Sequence, residues 1–574
     1  MTFSLVRFVG DRSTRVSPRS DAPASLLLSM DSRSARSKLV LSQDPISLRR
    51  PMLRPLRFAT ALTLTSLLFS PKPSLAAGTT LMVSPSGSDS GLGTVAAPFR
   101  QIRRALQIAG AGDTILVADG SYLGFDVRGK TATPEAPLTI RAVGKGAVVM
   151  PTTDRSDNRD TIFVTFSSGI VIDGLRSFNA NRAAVRIDNS PNITVRNGVF
   201  GNNRTWGIFT DFSDDLRLEG NECYGSVKEH GIYVSNSGDR PIVRGNHCHD
   251  NAASGIQLNA DLAAGGDGII SGAVLEDNVL LRNGALGGAA INLDGVQDSV
   301  VQNNLIVGNR ATGIVAYRGN GAAGPANVTI RHNTIDQPAD GRWCLHIGSA
   351  AGPVVVRNNI LFTRHSFRGS IEYFSTADVA RTDSDYNVLS RVSPNYGATV
   401  FTLAQWQSRG FELHSLNLAI PQLWSNPLAL DYRLGVGSPA IDAGQTIPDL
   451  LRDITGFVRP SGAGYNLGCY EQVGPAPIAP LVLTSLGVSP TTLRGGTSAT
   501  GRVTLSAAAP SGGVLVKLAS NSPQVTVPAQ VLVPAGSTSA LFSVGSRPVT
   551  RTTGVTLTAK LGESQRTASI TVIR

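Results

Sequence analysis

From about residue 170 the chain repeats a short pattern in which an apolar residue is followed by Asn or Gly three positions later. The repeats are spaced 23 to 32 residues apart and occur at Val195–Gly198, Leu218–Asn221, Val243–Asn246, Leu275–Asn278, Val301–Asn304, Ile330–Asn333 and Val356–Asn359. A second short apolar segment, such as Gly207-Ile208, follows about ten residues later. A unit of two or three short strands cannot bury its apolar side alone, and no helical period separates the strands. The repeat therefore predicts an all-β chain that winds into a right-handed parallel β-helix.

The alignment of the repeats assigns two structural columns of side chains. An asparagine ladder is predicted from Asn221, Asn246, Asn278, Asn304, Asn333, Asn359 and Asn387, because Asn bonds neighbouring backbone and tolerates left-handed turns. Two positions further on, an inward-facing column contains Phe200, Cys223, Cys248, Leu280, Ile306, Ile335, Leu361 and Leu389. Cys223 and Cys248 occupy adjacent coils in this column, where two buried thiols are favoured over a disulfide because apolar residues share their positions.

The segments on either side of the repeats predict further domains. Apolar residues at helical spacing between Phe99 and Ala109 predict a helix that caps the open end of the solenoid. The β-helix is expected to occupy residues 78–472 and a Pro-rich linker residues 473–480. Residues 481–574 are rich in Thr, Ser and Val with alternating apolar positions, which predicts a small Ig-like β-sandwich.

The N-terminal part has the composition of a targeting segment. Residues 52–77 combine a short basic stretch, the apolar run Phe58–Phe69 and small residues before Ala77, as in a secretory signal peptide. Residues 1–51 are interpreted as a disordered or mis-called extension. We expect a secreted protein, extracellular or periplasmic, without a membrane span because no second long apolar run follows.

The net charge of +11 belongs mostly to this leader, since residues 1–77 contain 12 basic and 4 acidic residues. The rest of the chain is nearly neutral, which gives no reason to expect binding to nucleic acid. A monomer is expected.

The segments Val83–Phe99, Ala111–Tyr122, Ser438–Gly444 and Arg459–Glu471 resemble secreted bacterial right-handed parallel β-helix proteins. The opening segments look most like the pectate-lyase-like and related polysaccharide-lyase families. The resemblance covers about residues 80–471 and implies a polysaccharide as partner. Because the matching segments are caps, it is specific for the fold and says little about activity.

One outward face of the predicted solenoid carries two rows of side chains that combine aromatic, amide and charged groups suited to sugar rings and hydroxyls. The rows are Arg186, Phe209, Tyr233, Gln257, Asn292, Val315 and His346, and Asp188, Asp211, Ser235, Asn259, Asp294 and Tyr317. The densest group there consists of Lys228, His230, Tyr233 and Arg240. For β-elimination on a uronate polymer, Lys228 or His230 would be the base, Arg240 would hold the carboxylate and Tyr233 would donate to the leaving oxygen. The expected substrate-binding residues are Arg186, Gln257, Asn259, Asn292, Tyr317 and Arg318.

Three aspartates on the same face, Asp188, Asp211 and Asp294, are candidate ligands for Ca²⁺, which would neutralise the substrate carboxylate. Asp188 and Asp211 on adjacent coils also allow a glycoside hydrolase, which needs two neighbouring carboxylates. A non-catalytic glycan-binding or adhesion protein is a further alternative. His247 and His249 flank Cys248 and predict a weaker, second metal site.

Overall fold

A computed structural model describes residues 78–151, 159–236, 238–474, 481–510 and 512–574. The predicted extension and signal peptide, and most of the predicted linker, lie outside these ranges. Within the described ranges the repeats form three parallel sheets of 12, 12 and 10 strands, so that one coil contributes one strand to each sheet. This confirms the predicted parallel β-helix.

The strands of each sheet follow one another along the solenoid. Sheet 1 contains Thr80–Val83, Thr114–Val117, Leu138–Ala142, Ile170–Asp173, Ile193–Arg196, Arg217–Glu219, Ile242–Arg244, Val274–Glu276, Val300–Gln302, Val328–Arg331, Val354–Arg357 and Thr382–Asp385. Sheet 2 contains Phe125–Arg128, Ile162–Thr165, Ala183–Asp188, Trp206–Asp211, Ile232–Ser235, Ile256–Asn259, Ala289–Asp294, Thr312–Tyr317, Leu345–Ile347, Ile371–Tyr373, Arg391–Ser393 and Phe401–Thr402, the last strand being antiparallel. Sheet 3 contains Gly120–Leu123, Ala147–Met150, Arg176–Phe178, Val199–Gly201, Glu222–Tyr224, His247–His249, Val279–Leu281, Leu305–Val307, Thr334–Gln337 and Ile360–Thr363.

The short elements outside the three sheets close the ends and corners of the solenoid. The predicted cap is confirmed as the helix Ile102–Ile108, whose residues Ile102, Ala105 and Leu106 are buried in the solenoid core. The other helices are Thr376–Arg381, Leu403–Gln407 and Ile420–Leu423, with 3-10 turns at Leu262–Ala264 and Pro427–Ala429. Two-stranded pairs join Ile270–Ser271 to Val296–Gln297 and Trp424–Asn426 to Asp431–Leu434. No helix in the described residues is long and apolar enough to cross a membrane.

The predicted asparagine ladder runs through the turn between sheets 1 and 3. Asn246 is a typical member: its Oδ1 accepts from the backbone N–H and the Nδ2 of Asn221, at 3.0 and 3.1 Å. Its own Nδ2 donates to the Leu218 carbonyl and to Asn278 Oδ1, at 2.7 and 3.0 Å. Every such amide is buried and fully bonded to the coils on either side. The ladder therefore ties the coils to one another along the turn.

A second asparagine ladder lies five residues further on, in the turn that leads from sheet 3 to sheet 2. Asn251, Asn283 and Asn309 are bonded in series, with Asn251 Nδ2 to Asn283 Oδ1 at 2.9 Å and Asn283 Nδ2 to Asn309 Oδ1 at 3.0 Å. The Asn-x4-Asn spacing was visible in the repeats but was not used in the sequence prediction.

The four cysteines Cys223, Cys248, Cys344 and Cys469 are buried, free thiols. Cys223 and Cys248 are register partners in sheet 3 and point into the core, which confirms the interpretation as small core residues. Burial raises the pKa of the Cys223 thiol well above its usual value, so the reactive thiolate is suppressed.

The outer side of sheet 3 is covered at its C-terminal end by the chain that follows the last coils. Leu305, Ile360 and Val388 pack against Leu423 and Trp424 in one apolar cluster. A fully buried ion pair between Arg459 Nη1 and Glu471 Oε2, 2.8 Å long, holds the closing segment together. The N-terminal strands of sheet 3, including His247–His249, lie outside this cluster.

Residues 481–574 form two sheets around a separate apolar core. One is antiparallel and contains Leu483–Ser489, Ser498–Leu505, Ser539–Ser546 and Val525–Thr526. The other contains Thr492–Arg494, Ser564–Ile573, Thr553–Leu561, Val514–Ser520 and Gln530–Val533, with one parallel pair at its edge. The predicted C-terminal β-domain is therefore present as a pair of packed sheets.

Candidate functional site

The outward side of sheet 2, here called the polar face, carries two rows of functional side chains in register. One row consists of Arg186, Phe209, Tyr233, Gln257, Asn292, Val315 and His346. The other consists of Asp188, Asp211, Ser235, Asn259, Asp294 and Tyr317. Alternate residues such as Val234 and Leu258 point inward and are buried. The strand period of two thus confirms both predicted rows.

An aromatic cluster occupies the centre of the polar face. The rings of Trp206 and Phe209 stack with their centroids 4.4 Å apart, and Phe209 meets Tyr233 edge to face at 5.3 Å. The Arg186 guanidinium lies over the Phe209 ring, 5.1 Å from its centroid. Aromatic rings beside polar groups form a platform suited to the flat faces of sugar rings. Trp206 and Phe209 were not among the predicted site residues.

Tyr233 is oriented by a neighbour on the next coil. Asn259 Nδ2 donates to the Tyr233 oxygen at 3.0 Å, so the phenol proton remains available for another acceptor. Burial raises the pKa of Tyr233 to about 12, which keeps the phenol protonated at neutral pH. Tyr233 is therefore set up as a hydrogen-bond donor on the polar face.

Three buried polar atoms of this face have no hydrogen-bond partner within the described residues. They are Arg186 Nε, Asn259 Oδ1 and Asn292 Oδ1. Asn259 and Asn292 are each only 8% exposed. Buried polar groups in native proteins are nearly always bonded, and an unbonded one costs about 1–3 kcal/mol. The polar face thus holds one donor and two acceptors whose hydrogen bonds the described residues do not supply.

The turn before the strand Ile232–Ser235 holds the predicted base candidates. His230 Nδ1 accepts from the Ser254 backbone N–H at 3.0 Å, and burial lowers the pKa of His230 to about 3. A neutral imidazole has one free lone pair, and that hydrogen bond uses it, so this contact is against His230 acting as a base. Lys228, by contrast, is exposed and directly precedes Glu229, whose side chain bonds Trp206 of the aromatic cluster.

Glu229 was also absent from the predicted set. Its Oε2 accepts from Trp206 Nε1 at 2.8 Å, and burial raises its pKa above the usual range. The bond holds the indole in place beside Phe209. Glu229 therefore positions the aromatic platform.

Arg240 does not join the other three predicted catalytic residues. It follows the strand Ile232–Ser235, in the turn that leads to sheet 1, whereas Lys228 and His230 precede that strand. Its guanidinium binds Asp215 through two hydrogen bonds of 2.7 and 2.9 Å and lies 3.3 Å from Asp214. The structure thus places Arg240 apart from Lys228 and His230 and pairs it with a protein carboxylate, while its predicted role in holding a substrate carboxylate stays a prediction.

Asp188 and Asp211 do lie together, as predicted, with a cation between them. Arg186 Nη2 is 3.5 Å from Asp188 Oδ2 and 3.7 Å from Asp211 Oδ2. Burial, together with the nearby Asp188, raises the pKa of Asp211 despite the 2.5 Å hydrogen bond that it accepts from Asn236 Nδ2. The trio is a partly buried charge cluster of two acids and one base.

Asp294 is separated from these two aspartates by Ser235 and Asn259, about 14 Å along the sheet. Its carboxylate accepts the backbone N–H groups of Gly319, Asn320 and Gly321 at 2.7 to 3.1 Å. The structure therefore does not bring the three aspartates together: Asp294 folds a loop, and Ca²⁺ binding by Asp188 and Asp211 stays a prediction.

That loop, residues 318–326, lies against residues 260–269 beside the polar face. Leu262 N–H donates to the Asn320 carbonyl and Ala322 N–H to the Gly268 carbonyl, at 3.1 and 2.8 Å. Three predicted binding residues remain to be placed. Gln257 Oε1 accepts a hydrogen bond from Ser254 Oγ at 3.1 Å. Tyr317 is partly buried beside Asp294, and Arg318 is exposed. The two loops form a side wall to the row that ends in Tyr317.

Two family models match parts of the chain. One, described as periplasmic copper-binding protein (NosD), matches residues 127–272, and one described as right handed beta helix region matches residues 263–361. No curated protein matches the sequence.

Solved structures with the same architecture have low sequence identity to this chain. Pectate lyase Pel9A is 17% identical with a TM-score of 0.49, covering 69% of this chain and 97% of its own. A rhamnogalacturonan lyase is 16% identical with a TM-score of 0.41, covering 54% of this chain and 87% of its own. An alginate lyase from Paenibacillus sp. str. FPU-7 is 20% identical with a TM-score of 0.39, covering 49% of this chain and 96% of its own.

Proposed function

We propose that the protein binds an extended uronate-containing polysaccharide along the polar face of sheet 2 and cleaves it by β-elimination. The observation that carries this proposal is a group of polar atoms on the two rows that have no partner in the described residues, Arg186 Nε, Asn259 Oδ1 and Asn292 Oδ1, beside an aromatic platform. Arg186 and Asn292 are four strands apart, about 19 Å, a length that fits several units of an extended polymer.

The proposed chemistry assigns one role to each polar side chain near the platform. Lys228 removes the proton next to the uronate carboxylate, and the electron pair forms a double bond as the glycosidic oxygen leaves. The Tyr233 phenol gives its proton to that oxygen, since its own oxygen already accepts from Asn259. We assign the substrate carboxylate to Arg186 in place of Arg240, whose guanidinium Asp215 binds through two hydrogen bonds. Arg186 Nη2 also lies beside protein carboxylates, at 3.5 Å from Asp188 and 3.7 Å from Asp211, but its Nε has no partner within the described residues. His230 stabilises the turn.

The experiment that tests this function is a substrate panel. The purified protein is incubated with pectate, alginate and glycosaminoglycans, and the ultraviolet absorbance of unsaturated uronate is followed with and without Ca²⁺. We expect one polymer class to give the chromophore. In Lys228→Ala the rate should fall about 100-fold or more, while Lys145→Ala, an exposed lysine in a turn outside the polar face, should keep full activity.

A glycoside hydrolase is the second candidate, and one observation favours it. Asp188 and Asp211 flank the same guanidinium nitrogen, and burial together with the charge of Asp188 raises the pKa of Asp211, as expected for a carboxyl that acts as a general acid. Release of reducing ends without the unsaturated chromophore would favour this reaction. Binding of a polymer without any product would favour the non-catalytic glycan-binding alternative.

We further propose that the protein acts outside the cytoplasm, as a monomer. The leader sequence supports this location, and one matching family is described as periplasmic. The C-terminal pair of sheets is proposed to be an Ig-like spacer or attachment domain. Size-exclusion chromatography with light scattering tests the monomer, and cell fractionation tests the location.

A further inference from the structure

A cluster of potential metal ligands lies on the outer side of sheet 3, on a different face from the proposed glycan site. Glu222 and His247 are register partners on adjacent strands, and His249 follows His247 on the same strand face. Ligand atoms of Glu222, His247 and His249 all lie within 4.8 Å of one another. Within the described residues this is the one group of three or more His, Cys, Asp or Glu side chains with that property.

The His249 imidazole is held by a carboxylate at one of its two nitrogens, as is usual for histidines that bind metal ions. Its Nδ1 lies 2.8 Å from Asp250 Oδ2, and Asp250 is held by two hydrogen bonds of 2.7 and 2.6 Å from Arg282. A carboxylate that accepts from one imidazole nitrogen fixes the proton there and leaves the other nitrogen as a ligand. The Tyr224 ring stacks on His249 with centroids 5.0 Å apart, which restricts the imidazole further.

The other side of His249 faces a second carboxylate. With the proton on Nδ1, His249 Nε2 presents a lone pair to Glu222 Oε1, 3.2 Å away. Two acceptors at this distance repel unless a proton or a metal ion lies between them. His247 Nε2 is buried and has no hydrogen-bond partner in the described part of the chain. A metal ion placed between these atoms would accept the lone pairs of both imidazoles and of Glu222 together.

The donor set selects the kind of ion. Two imidazole nitrogens and one carboxylate oxygen suit Zn²⁺ or Cu²⁺, whereas Ca²⁺ requires an all-oxygen set. Three protein ligands on an open sheet face leave a further position for water or an exogenous ligand. We propose that Glu222, His247 and His249 bind one divalent late transition metal ion, Zn²⁺ or Cu²⁺, with Asp250 as the positioning residue of His249.

The test is direct metal binding to the full chain. The protein is stripped with a chelator and titrated with Zn²⁺ and, separately, Cu²⁺ against a competing chelator, and the bound metal is measured by elemental analysis. We expect one equivalent per chain for at least one ion. Loss of affinity should be at least about 100-fold in His249→Ala and Glu222→Gln, and about 10- to 100-fold in Asp250→Asn. Nitrogen hyperfine splitting from two imidazoles is expected in the electron paramagnetic resonance spectrum of the Cu²⁺ form.

His414→Ala is the matched control. His414 also pairs with an aspartate, Asp385 at 2.7 Å, and stacks on a tyrosine, Tyr386, but it has no second histidine beside it. This variant should bind the metal like the parent chain. Unchanged affinity in both His249→Ala and Glu222→Gln, or no stoichiometric binding of either ion, would overturn the proposal. Circular dichroism shows whether each variant retains the β-helix, and Glu222→Gln tests the site without removing a ring from sheet 3.

Discussion

Asn259 donates its amide proton to the phenol oxygen of Tyr233 from the neighbouring coil, at 3.0 Å. Since the phenol oxygen already accepts this hydrogen bond, the phenol proton is free to be donated to another group. Burial raises the pKa of Tyr233 to about 12, so this proton is present throughout the neutral range. The pair joins adjacent coils of the polar face and gives Tyr233 its proposed role.

The first prediction concerns this donor. In Tyr233→Phe the ring is kept and the proton is lost, so kcat on a cleaved polymer should fall about 100-fold while KM changes by less than about 3-fold. Steady-state kinetics with Tyr386→Phe as the control, a partly buried tyrosine after the last strand of sheet 1, separates a catalytic donor from a general effect of a missing hydroxyl. An equal loss in both variants would remove the special role of Tyr233.

The second prediction separates structure from catalysis at His230. His230→Asn keeps an acceptor near the position of Nδ1 for the Ser254 N–H, so activity should stay within about 3-fold. His230→Ala leaves that N–H unbonded and should lower the free energy of unfolding by about 1–3 kcal/mol. Urea denaturation and activity are measured on both. A folded but inactive His230→Asn would show that the imidazole acts in the chemistry.

The third prediction tests the asparagine ladder. Asn304 is fully buried, accepts from Asn278 and donates to the Leu275 carbonyl and Asn333 Oδ1. Asn304→Ala leaves several buried groups unbonded, so the free energy of unfolding should fall by about 3 kcal/mol. The exposed Asn521→Ala, which loses one bond to the Thr556 N–H, is the control and should cost less than about 1.5 kcal/mol. Equal losses in chemical denaturation would contradict the ladder's role.

The fourth prediction concerns pH and Asp277. Burial, with repulsion from Glu276, raises the pKa of this carboxyl to about 7, above the ordinary value for Asp. Folding therefore favours the protonated form of Asp277. Its contribution to the free energy of unfolding is full below about pH 4 and is lost as the pH rises through 7. Asp277→Asn should remove this part of the pH dependence and raise the free energy of unfolding at pH 8 by about 2 kcal/mol.

Denaturant unfolding of Asp277→Asn and the parent chain at several pH values between 4 and 8 measures the effect. Asp340→Asn, an exposed carboxylate with an ion-pair distance of 3.4 Å to Arg310, is the control and should follow the parent curve. Parallel curves for Asp277→Asn and the parent would contradict the prediction.

The repeat pattern was sufficient to predict the coil, the first asparagine ladder and the inward Cys223–Cys248 column, because each depends on the strand period and on burial. It was also sufficient to predict the two rows of the polar face. The same alignment places Glu222 beside His247, so the ligand cluster on sheet 3 could have been found from the sequence by comparing outward columns.

Other features depend on contacts that no local pattern determines. Arg240 is paired with Asp215, a residue 25 positions earlier whose backbone has a φ of 56°. Asp294 is used by the backbone of a loop that differs between coils, and His230 is used by the Ser254 N–H. In each case a side chain that looks reactive in the sequence is satisfied by a turn, and turn geometry varies from one coil to the next.

The most direct test of the central claim is the absorbance of unsaturated uronate when the purified protein meets a uronate polymer. We expect this chromophore to appear with at least one polymer. Its rate of formation should fall about 100-fold or more in Lys228→Ala and stay unchanged in Lys145→Ala. If no polymer yields the chromophore with or without Ca²⁺, β-elimination on the polar face is contradicted.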